Sequence, residues 1–161
     1  DPEKMPMCSL TTSENEVAAM GGDAAAGHLT SAPYFMVHES AENEKFVSAY
    51  KKRWGSDKVT HFVSEPAYFG IGIFKQALEK IGNAGDINPT AIMEACKGQE
   101  IMAPQGKIKV DPENLHCYLW PKIGICKSNG QYDILKKTDT WLKPLPYAAY
   151  PDQTCKEGGL V

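Results

Sequence analysis

The stretch from Ser64 to Gly82 constrains the fold most. It carries Tyr68, Phe69, Ile71, Ile73, Phe74, Ala77, Leu78 and Ile81, which together cover much of the circumference of an α-helix. Ser64 or Glu65 starts it, Pro66 suits its first turn and Gly82 stops it. Such a helix needs cover from a sheet or a second helix, so the chain reads as layered α/β.

The flanking pattern supports that class. Residues 8–12 read as a short strand end. Ser13 and Glu16 fit a capping box ahead of Val17, Ala18, Ala19 and Met20, a short helix stopped by Gly21-Gly22. Residues 27–35 read as an extended segment ending in a strand-like aromatic pair, with Pro33 at an edge or bend. Ser40 caps a helix over 41–54, whose Phe46, Val47, Tyr50 and Trp54 keep helical spacing before Gly55. Residues 58–63 read as a short strand, and Asn88-Pro89 opens a helix over 89–97.

Past Gly98 the period changes. Ala103-Pro104-Gln105-Gly106 is a turn, Lys107-Ile108-Lys109-Val110 alternates with period two, and Asp111-Pro112-Glu113-Asn114 is a second turn. Residues 118–126 read as one strand. Asn129-Gly130 turns it into a hairpin that returns through Gln131-Tyr132-Asp133-Ile134-Leu135. Residues 136–161 read as an extended tail without helix or strand. Helix across 118–135 would be incompatible with this reading.

Composition excludes several function classes. The net charge is −3 and no basic stripe is present, so nucleic acid is not a partner; Lys51-Lys52-Arg53 reads as a solvated helix face. No apolar run approaches the ~18 residues of a membrane span. The 161 residues, 42% hydrophobic and 23% charged, suit a packed domain rather than disorder. The chain opens on Asp1-Pro2, and we expect a processed form or a piece of a longer protein.

No catalytic or metal constellation stands out. His28, His38, His61 and His116 are scattered, and His116-Cys117 has no second ligand pair at usable spacing. The five cysteines form no CxxC pair. On one extended strand Cys117 and Cys126 would stand about 30 Å apart, far beyond disulfide reach, so they should not pair; Cys155 on the tail stays free to reach either. No cofactor is expected, and the chain reads as a non-enzyme. Two strand-to-helix junctions draw attention, because ligands of α/β proteins bind there. At the first, the hydroxyls of Thr11 and Thr12 can cap a helix or face a ligand. At the second, Glu65 with Tyr68 one turn on can accept from and donate to an amide. Alternatively, Glu65 merely complements the helix dipole and Tyr68 merely packs.

Five stretches in register carry a resemblance. They are Pro6-Met7-Cys8-Ser9-Leu10-Thr11-Thr12-Ser13-Glu14, then Ala26-Gly27-His28-Leu29-Thr30-Ser31-Ala32-Pro33-Tyr34-Phe35, and Glu65-Pro66-Ala67-Tyr68. Ala103-Pro104-Gln105-Gly106 with Asp111-Pro112-Glu113-Asn114, and Ile123-Gly124 through Gly130-Gln131, complete the set. Over residues 6–151 the chain resembles periplasmic binding proteins of the branched-chain amino acid and amide type. It looks most like urea ABC-transporter substrate-binding proteins and the amide-sensing regulator of amidase operons. The resemblance implies a two-lobed type I periplasmic-binding-protein fold, with three crossing segments and ligand closed between the lobes.

On that resemblance the chain is the C-terminal part of such a fold, with a β-rich C-terminal portion. Residues 1–27 would end the second lobe, 28–35 cross between lobes, 36–102 belong to the first lobe, 103–135 return to the second, and 136–161 form the tail. An N-terminal half would supply the rest of both lobes. The implied function is periplasmic capture of urea or a short-chain amide for a membrane permease. A cytoplasmic amide-sensing regulator is the alternative, and an amide hydrolase ranks last. The implied ligand contact is Thr11, whose neutral hydroxyl suits a neutral amide where amino-acid-binding cousins offer a carboxylate. Glu65 and Tyr68 are the further candidates. Apolar faces meant for absent strands, above all on the 66–81 helix, should then be exposed.

Overall fold

The computed structural model of the chain describes residues 1–146. Thirteen elements follow one another. β1 (Cys8–Ser9) leads into α1 (Glu14–Met20) and α2 (Gly22–Ala25), then β2 (Leu29–Ala32). α3 (Ala41–Trp54), α4 (Ser64–Ile81), a 3-10 turn (Ala84–Asp86) and α5 (Pro89–Cys96) come next. The β-rich end holds β3 (Glu100–Ala103), β4 (Gly106–Val110), β5 (Cys117–Tyr118), β6 (Lys122–Cys126) and β7 (Tyr132–Lys137). The expected helices and the Asn129-Gly130 hairpin are all present, and residues 118–135 contain no helix.

The strands form two separate sheets, one ordered β1-β2-β6-β7 and the other β3-β4-β5. In the first, β1 and β2 run parallel while β6 is antiparallel to both β2 and β7. Val17, Ala25, Ala32, Phe35, Cys126 and Tyr132 form its core, with the Phe35 and Tyr132 rings 4.8 Å apart. The second sheet packs on α4 through Phe69, Ala103 and Ile108. The period-two pattern of β4 is the cause: Ile108 and Val110 point inward while Lys107 and Lys109 do not. Three connections run between the two units: residues 33–40, residues 119–121, and the stretch from Thr138 back to Leu142, which pairs with Leu119.

Five expectations are corrected. Residues 58–63 are not a strand. Thr60 instead meets residues 34–36 side-on, its N–H donating to the Met36 sulfur and its hydroxyl bonded to Tyr34 at 2.7 Å, and no described strand lies alongside to complete a ladder. Residues 118–126 are two strands, because Leu119-Trp120-Pro121 carries the chain from one sheet to the other and Pro121 has no N–H for a ladder. Cys117 and Cys126 therefore lie on different sheets and are free, as are Cys8 and Cys96, while Cys155 lies outside the described residues. The segment after 135 is not wholly without strand: β7 runs to Lys137 and Leu142 bridges to Leu119. Tyr34 and Phe35 follow β2 rather than extend it, and both are buried as anchors. The change of sequence pattern near Gly98 does not mark a change of packing unit, since β3 to β5 stay with α4 and the chain crosses at 119–121.

The apolar helix α4 is only half covered. Phe69 and Ala77 are buried, whereas Tyr68, Ile71 and Phe74 form an exposed stripe at i, i+3, i+6 spacing, with Ile71 70% exposed. No described helix is long and apolar enough to cross a membrane. An exposed stripe of this kind drives association in water. The chain on its own is therefore expected to self-associate in size-exclusion runs at rising concentration, and Ile71→Glu to reduce that. A monodisperse, cooperatively melting monomer would contradict it.

Candidate functional site

The loop after β1 is built by one hydroxyl. Ser9 Oγ accepts from the N–H groups of Thr11 (3.1 Å) and Thr12 (2.9 Å) and donates to Thr12 Oγ1 (2.9 Å). Thr30 Oγ1 (2.7 Å) and Tyr132 OH (3.3 Å) both donate to Thr12 O, which fixes the loop against the sheet. Ser13, not a threonine, caps α1, with the Glu16 carboxylate accepting from the Ser13 N–H at 2.9 Å. Thr11 is thus relieved of a capping role. Its side chain is exposed and its hydroxyl has no partner among the described residues.

Next along this junction stands Glu14, buried at the start of α1. Its Oε1 accepts from the Met36 N–H at 2.6 Å, tying α1 to the 33–40 connection, while Oε2 is buried without a partner. Burial pushes its pKa up to about 7.

Glu65 and Tyr68 do not share a pocket. Glu65 is fully buried, and Gln105 occupies both of its oxygens, through the backbone N–H (3.3 Å) and through Nε2 (2.9 Å). Burial pushes its pKa up to about 7 as well, with the Gln105 hydrogen bonds and Lys122 acting against that. Tyr68 lies half exposed with its ring 4.6 Å from that of Phe46. Thr11 sits on the other sheet, at the end of β1.

Sequence reasoning missed the polar cluster around Glu65. Gln105 Oε1 accepts from the Trp120 N–H (3.3 Å), and Lys122 Nζ donates to the carbonyls of Pro33 (2.7 Å) and Trp120 (3.1 Å). One buried lysine thereby holds two of the three connections between the sheets. Burial brings its pKa down to about 8. The available signal was Lys122 itself, a charged residue opening a strand directly after Trp120-Pro121, with Gln105 as one of just two residues in the β3–β4 turn. Among the described residues no group of three His, Cys, Asp or Glu could hold a metal.

A model of the periplasmic binding protein domain matches residues 1–153. The chain is 35% identical over 105 residues to the Leu/Ile/Val-binding protein homolog 6 of Brucella abortus, which covers 65% of this chain and 26% of that protein. It is 31% identical over 135 residues to a protein named limonene hydroxylase from Geobacillus stearothermophilus, 84% of this chain and 23% of that one. It also resembles the solute binding protein of an ABC transporter from Rhodopseudomonas palustris BisB5, solved in complex with 3,4-dihydroxybenzoic acid. That likeness has 33% identity and a TM-score of 0.65, over 76% of this chain and 33% of that one. The chain spans about a quarter of the length of the curated relatives it matches.

Proposed function

The chain belongs to the periplasmic binding protein domain family, and from that premise we propose that it is the C-terminal part of a substrate-binding component of an ABC transporter. It works outside the cytoplasm, captures a small molecule between two lobes and presents it to a membrane permease. The sheet β1-β2-β6-β7 is its share of one lobe, α3 to β5 its share of the other, and the three connections are the crossings. It is a binding protein rather than an enzyme. Relatives named as binding proteins support this, and the limonene hydroxylase name covers a protein of which the chain matches under a quarter.

The ligand we propose is urea or a short-chain amide. The observation that carries this is the Thr11 hydroxyl, which is exposed and has no partner among the described residues, on a residue whose backbone N–H donates to Ser9 Oγ at the end of a parallel strand. A neutral donor and acceptor there matches an amide, which offers both. Glu65 and Tyr68 enter as weaker candidates, Glu65 acting from behind through Gln105 and Tyr68 from its exposed ring face. An aromatic acid is the second reading, favoured by the ligand of the Rhodopseudomonas protein.

Calorimetry on the full-length protein containing this chain separates the two, using urea, acetamide and 3,4-dihydroxybenzoate. Thr11→Val keeps the shape and removes the hydroxyl, so amide affinity should fall by about one to two decades, the equivalent of about 1–3 kcal/mol. Saturable binding of the aromatic acid alone would overturn the amide assignment, and Thr11→Val binding amide as wild type does would overturn Thr11 as its contact.

A further inference from the structure

Thr11 follows β1, at one edge of the four-stranded sheet. Something different happens at the opposite edge. Lys122 on β6 and Lys137 on β7 are register partners. Directly opposed side chains share a face of the sheet, and like charges so placed repel. Lys122 is 2% exposed and uses two of its three ammonium protons on Pro33 O and Trp120 O. Lys137 makes no ion pair among the described residues. His38, from the 33–40 connection, joins them on a cavity of about 310 Å³ whose wall includes Gln105, Trp120 and Asp139.

Two lysines and a histidine from three connected segments therefore converge on one cavity. The negative groups nearby are a poor match for them. Glu65 interacts with Lys122 but is itself buried and drawn toward its neutral form, and Asp139 is an exposed residue of the wall. Burial first, then the two lysines, bring the His38 pKa down to about 4, so His38 joins the cavity as a neutral hydrogen-bonding side chain beside the two charged lysines.

We propose that this cavity binds a small oxyanion, a carboxylate or phosphate, between Lys122, Lys137 and His38. The anion neutralises the opposed lysines and accepts the donors that the protein leaves free. Three interstrand spacings, about 14 Å, separate β1 from β7, so the anion does not compete with a ligand at Thr11. It bears on residues next to all three connections, and so on the angle between the two sheets. This site stands independently of the amide reading.

The test is calorimetry on the full-length protein containing this chain, titrated with inorganic phosphate and separately with acetate, against chloride at matched ionic strength. We expect saturable binding of at least one anion; phosphate alone or acetate alone identifies which chemistry the cavity takes. Lys122→Met risks misfolding, so the exposed Lys137 is the informative position. Lys137→Gln should weaken the bound anion about tenfold, the loss of one charge-assisted contact, and leave urea and acetamide titrations unchanged. Thr11→Val should do the reverse. No anion binding above the chloride control, or equal binding by Lys137→Gln, would overturn the site whatever the amide titrations give.

Discussion

Gly22→Ala is expected to cost about 3 kcal/mol or more and to unfold much of the population. A Cβ at Gly22 would lie 2.0 Å from Ser128 O and 2.8 Å from Gly130 N. These are backbone atoms of the β6–β7 turn, which cannot swing aside as a side-chain tip would. That turn is held by the Gly130 N–H to Lys127 O bond and by the left-handed φ of 78° at Gly130. Relief would have to come from moving α2 off the hairpin, which opens the core around Val17 and Tyr132. Gly70→Ala is the matching control. Nothing lies within 4 Å of its Cβ, and a glycine inside α4 costs helix propensity, so this change should stabilise by up to about 1 kcal/mol. Urea denaturation of the two variants beside wild type reads both signs. Gly22→Ala within experimental error of wild type would mean that α2 and the hairpin do not pack as described.

Stability should fall as pH rises from about 4.5 to 7, the reverse of ordinary acid denaturation. Glu14 and Glu65 both have pKa values pushed up by burial to about 7, from 4.5 when unfolded. The folded state thus binds their protons more tightly, so the stabilising contribution is complete below 4.5 and is lost as pH climbs through 7. Each carboxyl accounts for up to about 3 kcal/mol across that window, partly offset by His38, whose pKa burial lowers from 6.5 to about 4, so that its contribution is regained as pH rises from 4 to 6.5. Lys122 acts in the opposite direction at higher pH. Its folded pKa is lowered to about 8 from 10.5, so stability is regained as pH rises from 8 to 10.5. The minimum should fall between about 7 and 8. Urea unfolding at pH 5, 7.5 and 10 checks this, and Glu14→Gln should raise stability at 7.5 more than at 5. A curve that rises from pH 5 to 7.5 would contradict the buried, charge-poor placement of the two carboxyls.

The helices were legible because their signals are local. Ser40 before Ala41, Pro66 inside the first turn of α4, Asn88-Pro89 and the stopping glycines each act within one turn of chain. The hairpin at Asn129-Gly130 is local in the same sense. What depended on partners was not legible. Residues 58–63 have strand composition, but a strand exists only with a neighbouring strand to bond to, and residues 34–36, which do lie there, meet Thr60 side-on and form no ladder. Pro121 marked a break in the run from 118 to 126, but a proline fits an edge or a bend as well as a crossing, so it did not say that the chain changes sheet there. Thr11 was picked out by its junction and by resemblance, and the structure freed it from capping. Glu65 was picked out for its place at a helix start, yet its partner Gln105 lies forty residues on, and the Lys122 contact to Pro33 spans eighty-nine. Contacts at that separation are set by the fold as a whole, not by spacing.

On the proposed function, a small amide closes two lobes about the crossings and touches the Ser9–Glu14 loop. Hydrogen–deuterium exchange of the full-length protein containing this chain, with and without saturating acetamide or urea, tests it most directly. Closure predicts slower exchange in peptides covering residues 9–14 and in those covering the connections at 33–40 and 119–122, with the solvent-facing parts of α3 and α5 unchanged. Exchange that is identical with and without ligand in all of these segments would contradict it.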